Sequence, residues 1–180
     1  MNSPFERHEV EEYERKRYRG ADQKFVDQRE KRILRKILEK TGAGPFRVLD
    51  LPCGYGRLAC LLLDKGFTLV SSDISFHMVK RAMERNRQAG HFLGVVADAK
   101  QGLPFKKGMF RLLLSMRFFH HLHQSEERES ILREFSYVSS EWVILSYYQR
   151  NWLHSLQRKL RGRIKRSRTQ IKMISHLEFY

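Results

Sequence analysis

Three short apolar segments, each closed by an aspartate, alternate with helical patterns in the first hundred residues, and this alternation constrains the fold most. Residues 46–50, 67–73 and 91–98 read as strands ending at Asp50, Asp73 and Asp98. Residues 58–63 and 75–88 read as helices between them, the second with Phe76, Val79 and Met83 facing inward. Further on, residues 110–116 and 142–148 read as strands on either side of a helix over 126–138. That helix carries Ile131, Leu132, Phe135 and Val138 on one face. Strands this short and this apolar, separated by helices, predict a mostly parallel sheet with helices on both faces. Right-handed crossovers make it a doubly wound α/β fold with its ligand cleft at the carboxyl ends of the strands. All three aspartates are then expected along one edge.

The chain divides by pattern into a helical extension over residues 1–41, a core over 42–149 and a basic segment over 150–180. Residues 1–20 mix charges of both signs and read as a solvent-exposed helix or a frayed arm. From Asp22, a plausible cap, to Lys40, the residues Val26, Ile33, Leu34, Ile37 and Leu38 recur at helical spacing, and Gly42 and Gly44 stop the helix. Lys and Arg number 35 against 20 Asp and Glu, a net +15, and nine Lys or Arg with no acid fall within residues 150–172. A run like this is either a solvated helix face or a surface for phosphate. With 41% apolar residues the chain can bury a core, so wholesale disorder is excluded. The densely charged first 30 residues offer no secretory core, and no apolar run approaches the ~18 residues of a membrane span. Two cysteines close together, Cys53 and Cys60, do not make a disulfide scaffold, so a reducing cytoplasm is expected.

The turn after the first strand, Pro52-Cys53-Gly54-Tyr55-Gly56, holds the most chemistry. A dinucleotide fingerprint needs a third glycine for helix packing, and Arg57-Leu58-Ala59 follow instead. No Gly-Lys-Ser/Thr occurs, so a Walker loop is absent. What remains is a turn whose glycines, lacking Cβ, let backbone approach a ligand, with Asp50 just before it. Asp73, 17 residues after Gly56, is placed to accept hydrogen bonds from a ribose diol.

The segment Val48-Leu49-Asp50-Leu51-Pro52-Cys53-Gly54-Tyr55-Gly56-Arg57 resembles the first motif of class I S-adenosylmethionine-dependent methyltransferases. Ser72-Asp73-Ile74-Ser75 resembles the second and Ala97-Asp98-Ala99 the third. Residues 114–122, Leu-Ser-Met-Arg-Phe-Phe-His-His-Leu, resemble the fourth-strand segment of the type-11-like branch. The likeness spans about residues 46–148 with its motifs in order. It implies a Rossmann-like methyltransferase fold with S-adenosylmethionine as cofactor. It also implies a cofactor site of Asp50, Pro52, Cys53, Gly54, Gly56, Asp73, Ile74, Asp98, Ala99, Ser115 and Met116. In that assignment the Asp50 end of strand one receives the ammonium, Asp98 the adenine amine and Ala99 a backbone bond. Ser115 and Met116 lie beneath the sulfonium. Pro52 stands where many relatives have glycine, and Arg111 where they often have an acid. Relatives continue past residue 180 with strands six and seven, so the chain reads as truncated there, with an uncovered sheet edge that invites self-association.

The acceptor is less legible. No Asn/Asp-Pro-Pro-aromatic motif follows strand four, no cysteine follows Cys60, and no Cys/His metal constellation occurs. Arg117, His120 and His121 follow strand four, and either histidine is a candidate catalytic base. The alternative is that this segment only caps and packs the next helix. Trp152, Leu153, Leu156 and Leu160 share a helical face among the basic residues, which suits a lid, an anionic membrane surface or an RNA-contacting flap. The expected function is therefore methyl transfer to an anionic acceptor: a small molecule, a lipid or sugar head group, or RNA. Rival readings are a nucleic-acid-binding module, a partner scaffold with an idle cofactor site, or, on fold alone, a nicotinamide oxidoreductase.

Overall fold

The computed structural model describes residues 7–17 and 20–147. Five strands, β1 (Arg47–Asp50), β2 (Thr68–Asp73), β3 (Phe92–Val96), β4 (Phe110–Ser115) and β5 (Ser139–Leu145), form one sheet in the order β3-β2-β1-β4-β5. Every neighbouring pair is parallel. Helices α1 (Arg7–Arg17), α2 (Ala21–Leu38), α3 (Ala59–Leu63), α4 (Phe76–Arg85) and α5 (Ser125–Val138) complete the layers. The chain winds outward from β1 to β3, then crosses back to lay β4 against the other side of β1. That reversal puts the crevice for a ligand between the carboxyl ends of β1 and β4.

The central strands are buried on both faces. Val48, Leu49, Leu112, Leu113 and Leu114 are wholly inaccessible, which explains why their sequence is an unbroken apolar run rather than an alternation. On one face Leu49, Leu113, Phe119, Ile131, Phe135 and Val138 pack together under α5. On the other, Val48, Leu112 and Leu114 meet Leu34 and Leu38 of α2 and Leu58, Ala59 and Leu62 around α3.

Several boundaries and faces differ from the sequence expectation. Strand β5 begins at Ser139, directly after α5, and ends at Leu145. Two serines give no apolar signal, so its first turn of pairing could not be read. β3 stops at Val96, so Asp98 lies two residues beyond it. On α4, Val79 is buried but Phe76 and Met83 are exposed, and Met78 and Ala82 take the inner positions. Phe76 and Met83 instead line a groove of about 560 Å³ against Gly94 and Val96 of the edge strand β3. On α2 only Leu34 and Leu38 are buried, while Val26, Ile33 and Ile37 lie on the exposed side. Helix α1 is not a free arm. Its Val10 is 2% exposed in a cluster with Tyr55 and Met78, and Glu14 binds Arg81 and Arg85 of α4. Arg111 contacts Glu141 of β5 at 2.8 Å and lies over the Phe46 ring, a packing role at the sheet end remote from the crevice. No helix among the described residues is long and apolar enough to cross a membrane. The basic segment over 150–172, with Trp152, Leu153, Leu156 and Leu160, lies outside the described residues.

Candidate functional site

Asp50 ends β1 in register with Ser71 on one side and Leu114 on the other, at the switch point of the sheet. It is 1% exposed, and its Oδ2 has no hydrogen-bond partner among the described residues. Burial pushes its carboxyl up to about 7; Arg57 nearby opposes the rise and Asp73 adds to it. A carboxylate in this state is unusual, since buried polar groups are ordinarily paired.

Asp73 ends β2 two residues further along the strand. One carboxylate oxygen accepts from the Gly54 amide and the other from the Ser75 amide, each at 3.0 Å. Burial raises its pKa, and the Ser75, Gly54 and Ile74 amides pull it back. The glycine turn is fastened to β2 a second time, where the Cys53 amide donates to the Ser72 carbonyl at 2.8 Å. Ser75 caps α4 by accepting from the Met78 amide, so the same short segment ends a strand, anchors the turn and starts a helix.

The two glycines of the turn have different reasons. At Gly54, with φ 53°, a Cβ would meet nothing within 4 Å. At Gly56, with φ 78°, a Cβ would lie 3.0 Å from the Ala82 Cβ and 3.3 Å from the Asn86 amide nitrogen. From sequence, both glycines are expected to let the backbone approach a ligand. The structure leaves the open face to Gly54 and gives Gly56 the close approach of α4. Pro52 follows a cis peptide bond, and Cys53 is buried with its thiol donating to the Gly54 carbonyl at 3.3 Å. Burial first, then Asp50 and Asp73, push that thiol well above its ordinary value, so it behaves as a packed neutral group.

Asp98 shows mainly a turn role. Its Oδ1 accepts from the Lys100 amide at 2.9 Å and its Oδ2 from the Gln101 side chain at 3.1 Å. Ala99 beside it is buried, and Ile74 is 48% exposed after β2. At the end of β4, Ser115 is fully buried with an unpartnered Oγ, and Met116 packs partly buried against the α2–α3 side. His120 is buried and His121 exposed in a helical turn, with ring centroids 3.9 Å apart.

Sequence reasoning missed the cover of this site. Arg57, just after the turn, contacts Asp27 and Glu30 of α2, and Glu30 also holds Arg117, just after β4. Burial would raise the Asp27 carboxyl, yet hydrogen bonds from Lys31 and Arg57 hold it below the ordinary value. The only sequence signal was a pair of acids at i, i+3 on a helix rich in charge, which by itself predicts a solvated face.

A fully parallel sheet in this order, with a glycine turn after β1 tied to an acid at the end of β2, is the class I S-adenosylmethionine-dependent methyltransferase fold. The chain belongs to the methyltransferase-domain family, whose model matches residues 48–140. The cofactor of this family is S-adenosylmethionine. An 18S rRNA (guanine-N(7))-methyltransferase of Bos taurus is 34% identical over 103 residues, covering 56% of this chain and 36% of the relative. A glycine/sarcosine N-methyltransferase of Halorhodospira halochloris is 32% identical over 118 residues, covering 64% of this chain and 44% of the relative. The chain thus spans less than half the length of these curated relatives. Among solved structures, magnesium protoporphyrin IX methyltransferase from Synechocystis PCC 6803, with bound S-adenosylhomocysteine, superposes with a TM-score of 0.71 at 20% identity. It covers 88% of this chain and 73% of that one, a likeness of fold.

Proposed function

We propose that this chain transfers a methyl group from S-adenosylmethionine to an anionic acceptor, holding the donor at the carboxyl ends of β1, β2 and β4. The observation that carries the reading is the buried Asp50, whose Oδ2 has no hydrogen-bond partner among the described residues, beside an Asp73 carboxylate already oriented by two amides. A lone buried carboxylate is stabilised by a cation that fills its empty position, which suits the ammonium of the donor's methionine end. Each Asp73 oxygen keeps a lone pair for one hydroxyl of a ribose diol. Gly54, which follows Pro52 and Cys53, presents backbone with no side chain in the way. Gly56 contributes by setting the helix against the turn. Ile74, Asp98 and Ala99 are assigned to the adenine end, and Ser115 and Met116 to the reacting end.

When bound, S-adenosylmethionine supplies an electrophilic methyl group on a positively charged sulfur. The chain's part is to hold and align two reactants, which alone can account for much of the rate of such a transfer. His121 is exposed and is the better placed of the two histidines to take an acceptor's proton, with the buried His120 ring tilted against it.

An anionic acceptor is supported by the net charge of +15 and by the basic run over 150–172. The acceptors named for the two curated relatives, ribosomal RNA and glycine, differ in size but both carry an anionic group.

Replacing Asp73 by Ala is expected to weaken S-adenosylhomocysteine binding by about 1.5–3 kcal/mol, the range for charged hydrogen bonds. Titration calorimetry checks this. Unchanged affinity removes Asp73 from the site, and no binding by the parent chain favours the scaffold reading. The acceptor class is checked by replacing Arg161, Arg163, Lys165 and Arg166 together with Gln. If RNA is the acceptor, the log–log salt slope of RNA binding flattens by up to about 3, roughly 0.7 per phosphate contact on a single strand. Binding to anionic vesicles alone selects a lipid surface, and binding to neither at low salt selects a small molecule.

A further inference from the structure

We infer that Arg57 and Arg117 form a binding site for a carboxylate or phosphate group, and that Glu30 of α2 fills this site while the cleft is empty. The inference rests on reading the cleft as a methyl-transfer site and goes beyond it by naming where the anion binds.

Glu30 is gripped the way a bound anion would be. Its Oε1 accepts from Arg117 Nε at 2.8 Å, and its Oε2 lies 3.0 Å from Arg57 Nη2 in an ion pair without a hydrogen bond, so each carboxylate oxygen meets a different guanidinium. The two arginine side chains are only 13% and 14% exposed, so the contacts are sheltered from solvent. Planar guanidinium groups match carboxylate and phosphate oxygens better than any other side chain. Arg57 follows the turn after β1 and Arg117 follows β4, the two strands that flank the switch-point crevice.

The backbone invests in this placement. Arg117 has φ 59°, the only positive value at a non-glycine among the described residues, and its amide is held by Ser146 Oγ at 2.7 Å. Glycine adopts that conformation freely, whereas a residue with a Cβ is strained there, and such strain collects at ligand sites.

Glu30 is also replaceable. The C-terminal half of α2 is anchored by the buried Leu34 and Leu38. No residue from Ala21 to Ile33 is buried, and Phe25 and Val26 stand exposed. That half is joined to the body by the Asp27 and Glu30 ion pairs. A competing anion can therefore take the place of Glu30 by lifting one end of a helix, without opening the apolar core.

The test uses the full chain with inorganic phosphate as probe. Glu30→Gln keeps the size of the side chain and removes its charge. It is expected to bind phosphate at least tenfold more tightly than the parent, and adding Arg117→Gln is expected to abolish the gain. If Glu30 only braces α2, Glu30→Gln binds phosphate no better than the parent, and the proposal falls. Hydrogen exchange on the parent chain gives a reading that needs no variant. Phosphate, against chloride at equal ionic strength, should raise amide exchange over residues 21–33, and unchanged exchange there would overturn the displacement.

The source of the anion is read with S-adenosylhomocysteine and with methylthioadenosine, which lacks the amino-acid end. Should Glu30→Gln tighten only the former, with phosphate competing, the site takes the donor's own carboxylate. Should phosphate bind equally well with S-adenosylhomocysteine present, the site takes the acceptor's anion. S-adenosylhomocysteine binding by the parent without any phosphate gain in Glu30→Gln would leave the donor reading standing and remove the anion site alone.

Discussion

Asp50→Asn is expected to stabilise the folded chain by about 4 kcal/mol at pH 8 and by almost nothing at pH 4. The Asp50 carboxyl is pushed up to about 7 in the fold, from an ordinary value of 3.8, chiefly by burial. A carboxyl raised in this way opposes folding once it must ionise. Below pH 4 it is protonated in both states and costs nothing. Between pH 4 and 7 the unfolded chain gives up the proton and the folded chain keeps it, so stability falls by about 1.4 kcal/mol per pH unit. Above pH 7 the loss is complete and constant. Asparagine has no proton to lose, so its stability curve lacks this slope. Denaturant unfolding of both proteins at pH 4 and pH 8 measures the effect, and parallel curves for the two would show that Asp50 is not buried in this way.

The same group should link donor binding to pH in the opposite sense. A bound ammonium favours the ionised carboxylate, so the affinity for S-adenosylhomocysteine should rise roughly thirtyfold between pH 5.5 and pH 8 and flatten above 7. Asp50→Asn should bind weakly at both. A carboxylate whose burial opposes folding and whose Oδ2 is left open for a ligand is the pattern expected of a binding group rather than a structural one.

The sheet could be read from the sequence because its central strands are buried on both sides. Val48-Leu49 and Leu112-Leu113-Leu114 have no solvent-facing positions to break the run, and the helices between them set the parallel topology. Asp50 and Asp73 were legible for the same reason, since each acid ends such a run. Reading failed where solvent or another element shares the surface. Phe76, Met83, Val26 and Ile33 look like core residues by spacing, but they sit beside the edge strand or on the outer side of α2, where the described residues cover them only in part. Asp98 continues an apolar pattern in sequence, yet its strand ends early and its carboxylate closes a local turn. The Glu30 bridge joins residues 27 and 87 positions apart, and no local pattern encodes a contact at that range.

Gly56→Ala is expected to cost about 3 kcal/mol of stability, and Gly54→Ala only about 1. Both glycines have positive φ, so both substitutions carry the left-handed penalty of roughly 1–2 kcal/mol. They differ in what the new methyl meets. At Gly56 it would press on the Ala82 backbone at 3.1 Å and its Cβ at 3.0 Å, and neither can rotate away. Ala82 is wholly buried in α4, so the helix must move outward or the turn must unwind, an overpacking cost of about 1–3 kcal/mol. At Gly54 the methyl enters open space on the side assigned to the donor. Thermal unfolding should therefore show Gly56→Ala melting roughly 10 °C below the parent and Gly54→Ala close to it. Calorimetry should show the reverse ranking for ligand. Gly54→Ala, fully folded, should lose at least tenfold in S-adenosylhomocysteine affinity because its methyl occupies the approach to the turn. If Gly54→Ala binds as the parent does, the donor does not lie against Gly54, and the assignment of the turn must move to its other face.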